Sequence, residues 1–212
     1  MNVLLADKQD ITRAGLMYIL SQNKEVNYKY VEDKNELIEQ LKQDPASVVI
    51  LDYTLSDFND SNELLIFGQR FKQSHWLLFS EELSTDFVRL ILASSQQFSI
   101  LLKESPLNEI REAITYALAH RRFICQHTTE LLLTQDTDKH EQVNLTRTET
   151  EILKDIALGM TTKEIADQRF SSFHTINTHR KNIFRKLGVN NAHEATKYAL
   201  RAGLIDAAEY YI

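Results

Sequence analysis

Two acids, a hydroxyl and a lysine each stand directly after a short apolar run: Asp7 after NVLLA, Asp52 after SVVIL, Ser80 after HWLLF and Lys103 after FSILL. A buried strand that ends in carboxylates points to a cation site or a catalyst. The stretch LLADKQD complicates that reading, because Lys8 follows Asp7 at once and Asp10 comes two residues later. A second constellation lies far along the chain. On a helix over 173–187, at about 100° per residue, Ile176, Ile183 and Leu187 share one face, with His179 at its edge. The opposite face carries His174, Asn177, Thr178, Lys181 and Arg185. Amide, hydroxyl and cationic groups are the types that read base edges and phosphates in a major groove. No acid occurs from Ser171 through His193, the window that holds Arg180, Lys181, Arg185 and Lys186. A merely solvated helix mixes signs, whereas phosphate repels carboxylates. Lys163 and Ser172 stand near expected helix N-termini, where backbone N–H groups also favour phosphate. His179 lacks partners at metal-ligand spacing and reads as a satisfied histidine.

The elements that must position the first constellation alternate along the chain. Apolar runs at 2–6, 26–31, 47–51, 75–79 and 98–102 are separated by amphipathic stretches at 10–22, 34–43, 60–73, 84–95 and from 106 onward. Strands spaced by helical patterns imply βαβ units, right-handed crossovers and a parallel sheet. Five such units make an open, doubly wound α/β domain whose ligands sit beyond the carboxyl ends of the strands. Asp7, Asp52, Ser80 and Lys103 fall at that edge. Each has an ordinary local alternative, as a loop cap, a helix cap or a solvated end, but four such coincidences at one sheet edge favour a site. The fifth helix begins at Pro106, a good first-turn residue, and its pattern (Ile110, Ile114, Ala117, Leu118) extends toward Leu133. Residues 134–144, TQDTDKHEQVN, are polar without periodicity and read as a linker.

The remainder reads as all-helical. Thr146 with Glu149, Thr161 with Glu164 and Asn191 with Glu194 have capping-box spacing, and Ser172 is a further N-cap. Gly159, Gly188 and Gly203 stand where helices stop on a left-handed residue. This gives helices near 147–158, 162–169, 173–187 and 192–202. Only Phe170-Ser171-Ser172 joins the second to the third, which makes a helix-turn-helix. The expected divisions are a domain over 1–125, a helix extension and linker over 126–144, and a helical domain over 145–212.

Composition bounds the rest. The 212 residues have room for one large or two small domains, and a hydrophobic share of 43% suffices for packed cores. The single cysteine, Cys125, excludes an internal disulfide and suits a reducing compartment. The N-terminus reaches Asp7 too early for a signal-peptide core, and no apolar run approaches the ~18 residues of a membrane span. The expectation is a cytoplasmic protein without a membrane partner. The net charge of −6 argues against nucleic acid until its distribution is read. Residues 145–212 hold 10 Lys and Arg against 8 Asp and Glu, whereas the whole chain holds 24 against 30. The acidic excess therefore belongs to the first 144 residues, and such asymmetry points to two domains with different partners.

The stretch LTRTETEILKDIALGMTTKEIADQRFSSFHTINTHRKNIFRKLGV, 145–189, resembles the DNA-binding domain of LuxR/NarL-type response regulators. The match runs through Leu145-Thr146, Glu149, Gly159, Lys163-Glu164-Ile165-Ala166, Ser172, Thr175-Ile176, His179 and Lys186-Leu187-Gly188-Val189. The resemblance implies control of transcription by a homodimer on double-stranded promoter DNA, with the last helix, near 192–202, supplying a dimer contact. It implies that Asn177, Thr178 and Lys181 face bases, while Lys163, Ser172, Thr175, Arg180 and Arg185 mainly meet phosphate. Residues 1–125 resemble the receiver domain usually joined to that module, a five-stranded flavodoxin-like fold. The resemblance then makes Asp52 the phosphoacceptor, served by a sensor histidine kinase, with Asp7, Lys8, Ser80 and Lys103 around it. It also implies Mg²⁺ held by Asp7, Asp52 and a second acid beside Asp7. The chemistry is coherent: a carboxylate is a nucleophile, a divalent cation neutralises the transferring group, and a hydroxyl and an ammonium bind phosphoryl oxygens.

Several positions depart from the family pattern. Lys8 replaces the second acid, removing one oxygen ligand of Mg²⁺ and adding repulsion. Leu55-Ser56 replaces Met-Pro, which implies a less fixed loop after Asp52. Ile100 stands where an aromatic residue usually couples the pocket to the far surface, and Phe98 is displaced by two residues. Arg169 and Ser171 replace apolar residues, which implies looser packing before the turn. The expectation is an atypical receiver in which Lys8 pairs with Asp52 or Asp7, phosphorylation is weak or absent, and the domain acts through dimerisation or docking. The contrasting expectation is an ordinary phospho-switch, with Lys8 in solvent and Asp10 or water completing the metal shell. Two readings from other classes are weaker. A dehalogenase-type phosphatase wants a second aspartate two residues after the nucleophile, where Thr54 stands, and a cap domain, so the protein is not expected to be an enzyme. An interaction module without DNA binding rests only on Arg169 and Ser171.

Overall fold

The computed structural model describes residues 1–133 and 145–205, so the expected linker at 134–144 and the last seven positions lie outside the described residues. The chain divides into two compact units.

The first unit is built on strands β1 (Asn2–Ala6), β2 (Asn27–Tyr30), β3 (Val48–Leu51), β4 (His75–Ser80) and β5 (Phe98–Leu102). All pair parallel in the order β2-β1-β3-β4-β5. Helices α1 (Asp10–Ser21), α2 (Lys34–Gln43), α3 (Ser61–Arg70), α4 (Thr85–Ser94) and α5 (Leu107–Leu118) connect them. The central strands are apolar on both faces because helices cover both. Val3, Leu5, Val48, Ile50, Leu77 and Leu101 pack with Leu16 and Leu20 of α1 and with Ala113, Ile114 and Ala117 of α5. Leu4, Val49, Leu51, Trp76, Leu78 and Ile100 pack on the other side with Leu37 and Leu41 of α2, Leu64 of α3 and Ile91 of α4. Neighbouring residues on one strand thus enter opposite cores, as a period of two requires. This is the expected doubly wound sheet, and its switch point lies between β1 and β3.

The fifth helix does not run on to Leu133. It ends at Leu118, and His120 adopts a left-handed φ of 52°. The N–H groups of His120 and Arg121 close onto the carbonyls of Ala117 and Tyr116 at 2.9 Å each, a Schellman stop made without glycine. The chain then lies along β5. Ile100 N–H donates to Phe123 O at 2.9 Å, and Cys125 N–H donates to Ile100 O at 3.0 Å, one parallel bridge of strand type. The Arg122 guanidinium grips the carbonyls of Leu92 and Ser95 at the end of α4. Phe123 N–H donates to Ser99 Oγ at 2.9 Å, and Ser99 Oγ lies 2.8 Å from His75 Nε2. A separate helix, α6 (Gln126–Leu133), follows and packs Leu132 against the core beside α4.

The second unit holds α7 (Arg147–Ala157), α8 (Thr162–Gln168), α9 (Phe173–Leu187) and α10 (Ala192–Arg201). Thr146 and Thr161 form reciprocal capping boxes with Glu149 and Glu164. Asn191 caps α10 through the Glu194 N–H at 2.8 Å. Gly159, Gly188 and Gly203 have φ of 86°, 66° and 67°, the left-handed stops expected of them. Ile152, Leu153, Ile156, Ile165, Ile176, Ile183, Ala195 and Ala199 form the core.

Arg169 does not loosen the turn. Its guanidinium reaches Asp155 Oδ2 at 2.7 Å and Glu151 Oε2 at 3.0 Å, tying the end of α8 to α7. Charge fixes there what an apolar side chain would fix by packing. A second tie joins α7 to α9, where Lys186 Nζ donates to Glu149 at 2.6 and 2.8 Å. Burial pushes the Glu149 pKa up, but the Lys186 and Thr146 hydrogen bonds outweigh it and hold the carboxyl below its usual range. Among the described residues no helix is long and apolar enough to cross a membrane.

Candidate functional site

Strand register assembles the pocket. Ala6 pairs with Leu51, so Asp7 and Asp52 leave β1 and β3 side by side, and Asp52 N–H donates to Ala6 O at 3.0 Å. Ser80 pairs with Leu102, and Lys103 N–H donates to Ser80 O at 2.9 Å. All four predicted residues therefore stand at one sheet edge. Asp7, Asp52 and Ser80 are buried at 2%, 1% and 0% exposure.

Lys103 bridges the two acids. Its Nζ lies 2.5 Å from Asp52 Oδ2 and 2.8 Å from Asp7 Oδ2. The Asp7 contact is off the angle of a hydrogen bond, so that oxygen is ion-paired without being hydrogen-bonded. Burial pushes the Asp7 pKa up against the pull of Lys103, and the nearby Asp52 charge adds to the rise. Asp52 Oδ1 accepts from Thr54 N at 3.0 Å and from Thr54 Oγ1 at 2.5 Å. Ser80 Oγ accepts from Tyr53 N–H at 3.0 Å and fixes the start of the same loop. The loop is a single 3₁₀ turn, Tyr53–Leu55, closed by Ser56 Oγ on Tyr53 O at 2.8 Å, so Leu55-Ser56 leaves it held rather than loose.

Lys8 does not take the role expected of it. It is exposed and has no hydrogen-bond or ion-pair partner among the described residues; Lys103 alone sits between the carboxylates. The reason is the pleat: with Asp7 turned into the pocket, its successor faces out, toward a shallow hollow lined by Glu32, Asp33, Lys34 and Asp57. Asp10 is also elsewhere, paired with Arg13 in the first turn of α1. Residues missed in the sequence complete the pocket. Gln9 accepts from Lys103 through Oε1 at 3.1 Å and donates to Glu81 at 3.1 Å. Gln9 and Thr54 each donate a backbone N–H to the acid two residues before, at 2.7 and 3.0 Å. An acid closing strand and loop in this way is an Asx-turn signal that the sequence does carry.

Mg²⁺ asks for near-octahedral oxygen coordination. Among the described residues no group of three His, Cys, Asp or Glu side chains could hold a metal ion. The two carboxylates present are already joined by an ammonium, and the position of a third carries Lys8. Asp7 and Asp52 would offer Mg²⁺ two carboxylates, with water or phosphate oxygens for the rest of its shell, in competition with the Lys103 ammonium.

On α9, Ile176 and Ile183 are buried, while His174, Thr175, Thr178, Lys181 and Arg185 are exposed and Asn177 and Arg180 half-buried. Ser172 Oγ accepts from Thr175 N–H at 3.0 Å and contacts its hydroxyl at 2.8 Å, which fixes the first turn. Thr178 Oγ1 donates back to His174 O at 3.0 Å. The Arg180 guanidinium lies over the Phe184 ring, 5.4 Å from its centroid, which leaves Lys181 and Arg185 as the exposed cations of this face. Lys163 is exposed in the first turn of α8.

A parallel sheet with an acid–lysine pocket, joined to a helix-turn-helix, defines a regulatory protein of the receiver class. Residues 143–199 match the family described as bacterial regulatory proteins, luxR family. The Fimbriae Z protein of Salmonella typhimurium is 30% identical over 203 residues, covering 93% of this chain and 95% of that protein. The transcriptional regulatory protein LiaR of Bacillus subtilis is 25% identical over 209 residues, 96% of this chain and 99% of that one. Among solved structures, one of two RcsB dimers bound to two parallel DNAs matches at 26% identity with a TM-score of 0.56, covering 93% of this chain and 97% of that chain. The chain belongs to the LuxR family of bacterial regulatory proteins and has the receiver-plus-helix-turn-helix architecture of a response regulator.

Proposed function

We propose that this protein is a cytoplasmic transcriptional regulator that binds duplex promoter DNA as a homodimer and has no catalytic turnover of its own. The carrying observation is the outer face of α9. Lys181 and Arg185 stand exposed beside Asn177 on a face without acids, over a helix end fixed by Ser172. Asn177, Thr178 and Lys181 would address base edges, and Lys163, Ser172, Thr175, Arg180 and Arg185 the phosphates. The solved relative RcsB, described as dimers bound to DNA, supports this reading. A gel shift on a promoter library tests it: binding falls steeply with salt because phosphate neutralisation releases counterions. Salt-independent or absent binding would defeat it.

The switching proposal is finer. The domain over 1–125 acts as a receiver in which Lys103, rather than Mg²⁺, neutralises Asp7 and Asp52, and signalling does not require phosphorylation of Asp52. The observation behind it is the Lys103 bridge together with the missing third acid. One fact favours the ordinary switch instead: Lys8 is in solvent and does not obstruct Asp52. Acetyl phosphate decides between them. Attack by an Asp52 oxygen on phosphorus would form an acyl phosphate and release acetate. A phosphoryl mass gained in the presence of Mg²⁺ by the wild type and not by Asp52→Asn would overturn the phosphorylation-independent reading. No gain, with unchanged dimer affinity, is the expected result.

A further inference from the structure

We infer that Phe173 reads a thymine methyl group, a specificity contact within the DNA interface proposed above and dependent on that reading. Phe173 is the first residue of α9 and is 59% exposed. Exposed apolar residues are common and mean little singly; the position of this one is the argument. The N-terminal residues of a recognition helix are those that meet base edges. At about 100° per residue, Phe173 stands roughly 40° from Asn177 and roughly 80° from Lys181, beside the face already rich in base-reading groups. It takes no part in the hydrophobic core of its unit. Its backbone is fixed, because the preceding Ser172 caps the helix through Thr175 N–H at 3.0 Å. An exposed aromatic ring on a fixed backbone, among amide and cationic groups, suits one feature of the major groove, the apolar 5-methyl of thymine. The window from Ser171 to His193, which includes all of α9, contains no acid to repel the strand.

The test uses the full chain and DNA selected from a random duplex library. Each thymine of the half-site is replaced in turn by deoxyuridine, which removes only the methyl group. Wild-type binding is expected to weaken about fourfold at one or two positions, the effect of exposing one buried methyl. Phe173→Ala should bind the thymine and deoxyuridine forms alike at those positions. Its slope of log affinity against log salt should stay that of the wild type, since no phosphate contact is lost. Phe173→Leu, an apolar replacement, should keep part of the discrimination, and a thermal melt of each variant separates misfolding from lost contact. Wild-type protein indifferent to deoxyuridine throughout would overturn this inference and leave DNA binding standing. So would a Phe173→Ala protein with the full wild-type penalty. No binding to any library member would overturn the DNA reading and this inference with it.

Discussion

Arg169 and Lys103 show how much of a residue's role its neighbours decide. Both families of position were visible in the sequence, one as a departure and one as an expected pocket cation. What the sequence could not say was which lysine, Lys8 or Lys103, would stand between the two acids. Lys103 directly follows a buried run and Lys8 stands one residue beyond another, and the pleat and the register of β4 with β5 turn only Lys103 inward. Arg169 was likewise legible as an anomaly but not as a tie, because Asp155 and Glu151 lie more than a dozen residues earlier. Burial works against that guanidinium, yet the bond to Asp155 holds its pKa above the usual value. Replacing it should expose the difference between the two solutions. Arg169→Leu restores the apolar type usual in the family but leaves Asp155, 8% exposed, without its cation. A loss of about 1–3 kcal/mol is expected in chemical denaturation, and Arg169→Leu with Asp155→Leu should recover part of it. Equal stability of the single variant and the wild type would mean the tie is idle.

Helices and strands were read closely where punctuation was chemical. Each of the five strand runs and each of the three glycine stops falls where composition placed it. The failure came where punctuation was silent. His120 takes a left-handed φ of 52° without glycine, so no residue type announced the end of α5; Phe170, at 51°, does the same after α8, whose end at Gln168 the short Phe170-Ser171-Ser172 turn did mark. An L-residue costs about 1–2 kcal/mol in that conformation, and only tertiary contacts decide that it is adopted. Around the first of these stops lies a titratable element contact. His75, at the start of β4, is 2% exposed and faces Ser99, His120 and Arg122. Burial first, then repulsion from His120 and Arg122, pushes its pKa from 6.5 down to about 4. The folded protein keeps this ring neutral where the unfolded chain protonates it. Stability is therefore intact above pH 6.5 and is lost as pH falls toward 4, by on the order of 3 kcal/mol. Urea midpoints measured between these limits should decline in the wild type and stay flatter in His75→Gln. Parallel declines would remove His75 as the cause.

At the scale of the whole molecule, charge separates two kinds of surface. The chain carries −6, yet its acids avoid Ser171 to His193 entirely. A global average would have dismissed a nucleic-acid partner that the distribution invites. If the exposed cations do meet phosphate, each should contribute alike on any sequence. Lys163→Ala should weaken binding uniformly across DNA fragments and reduce the salt slope by about 1, whereas a sequence-dependent loss would move Lys163 among the base readers. The first unit raises a different matter, that of its sheet edges. An open parallel sheet ends in strands whose spare N–H and C=O groups can recruit a foreign strand. Here Phe123 and Cys125 occupy the Ile100 N–H and C=O on the outer side of β5, and α6, in contact with β5 and α4, follows. The segment after α5 therefore guards against self-association of the wrong kind. A receiver fragment ended at Leu118 would lose this guard together with the buried Cys125 and the packing of Phe123, and it should aggregate where a fragment ended at Leu133 stays monodisperse.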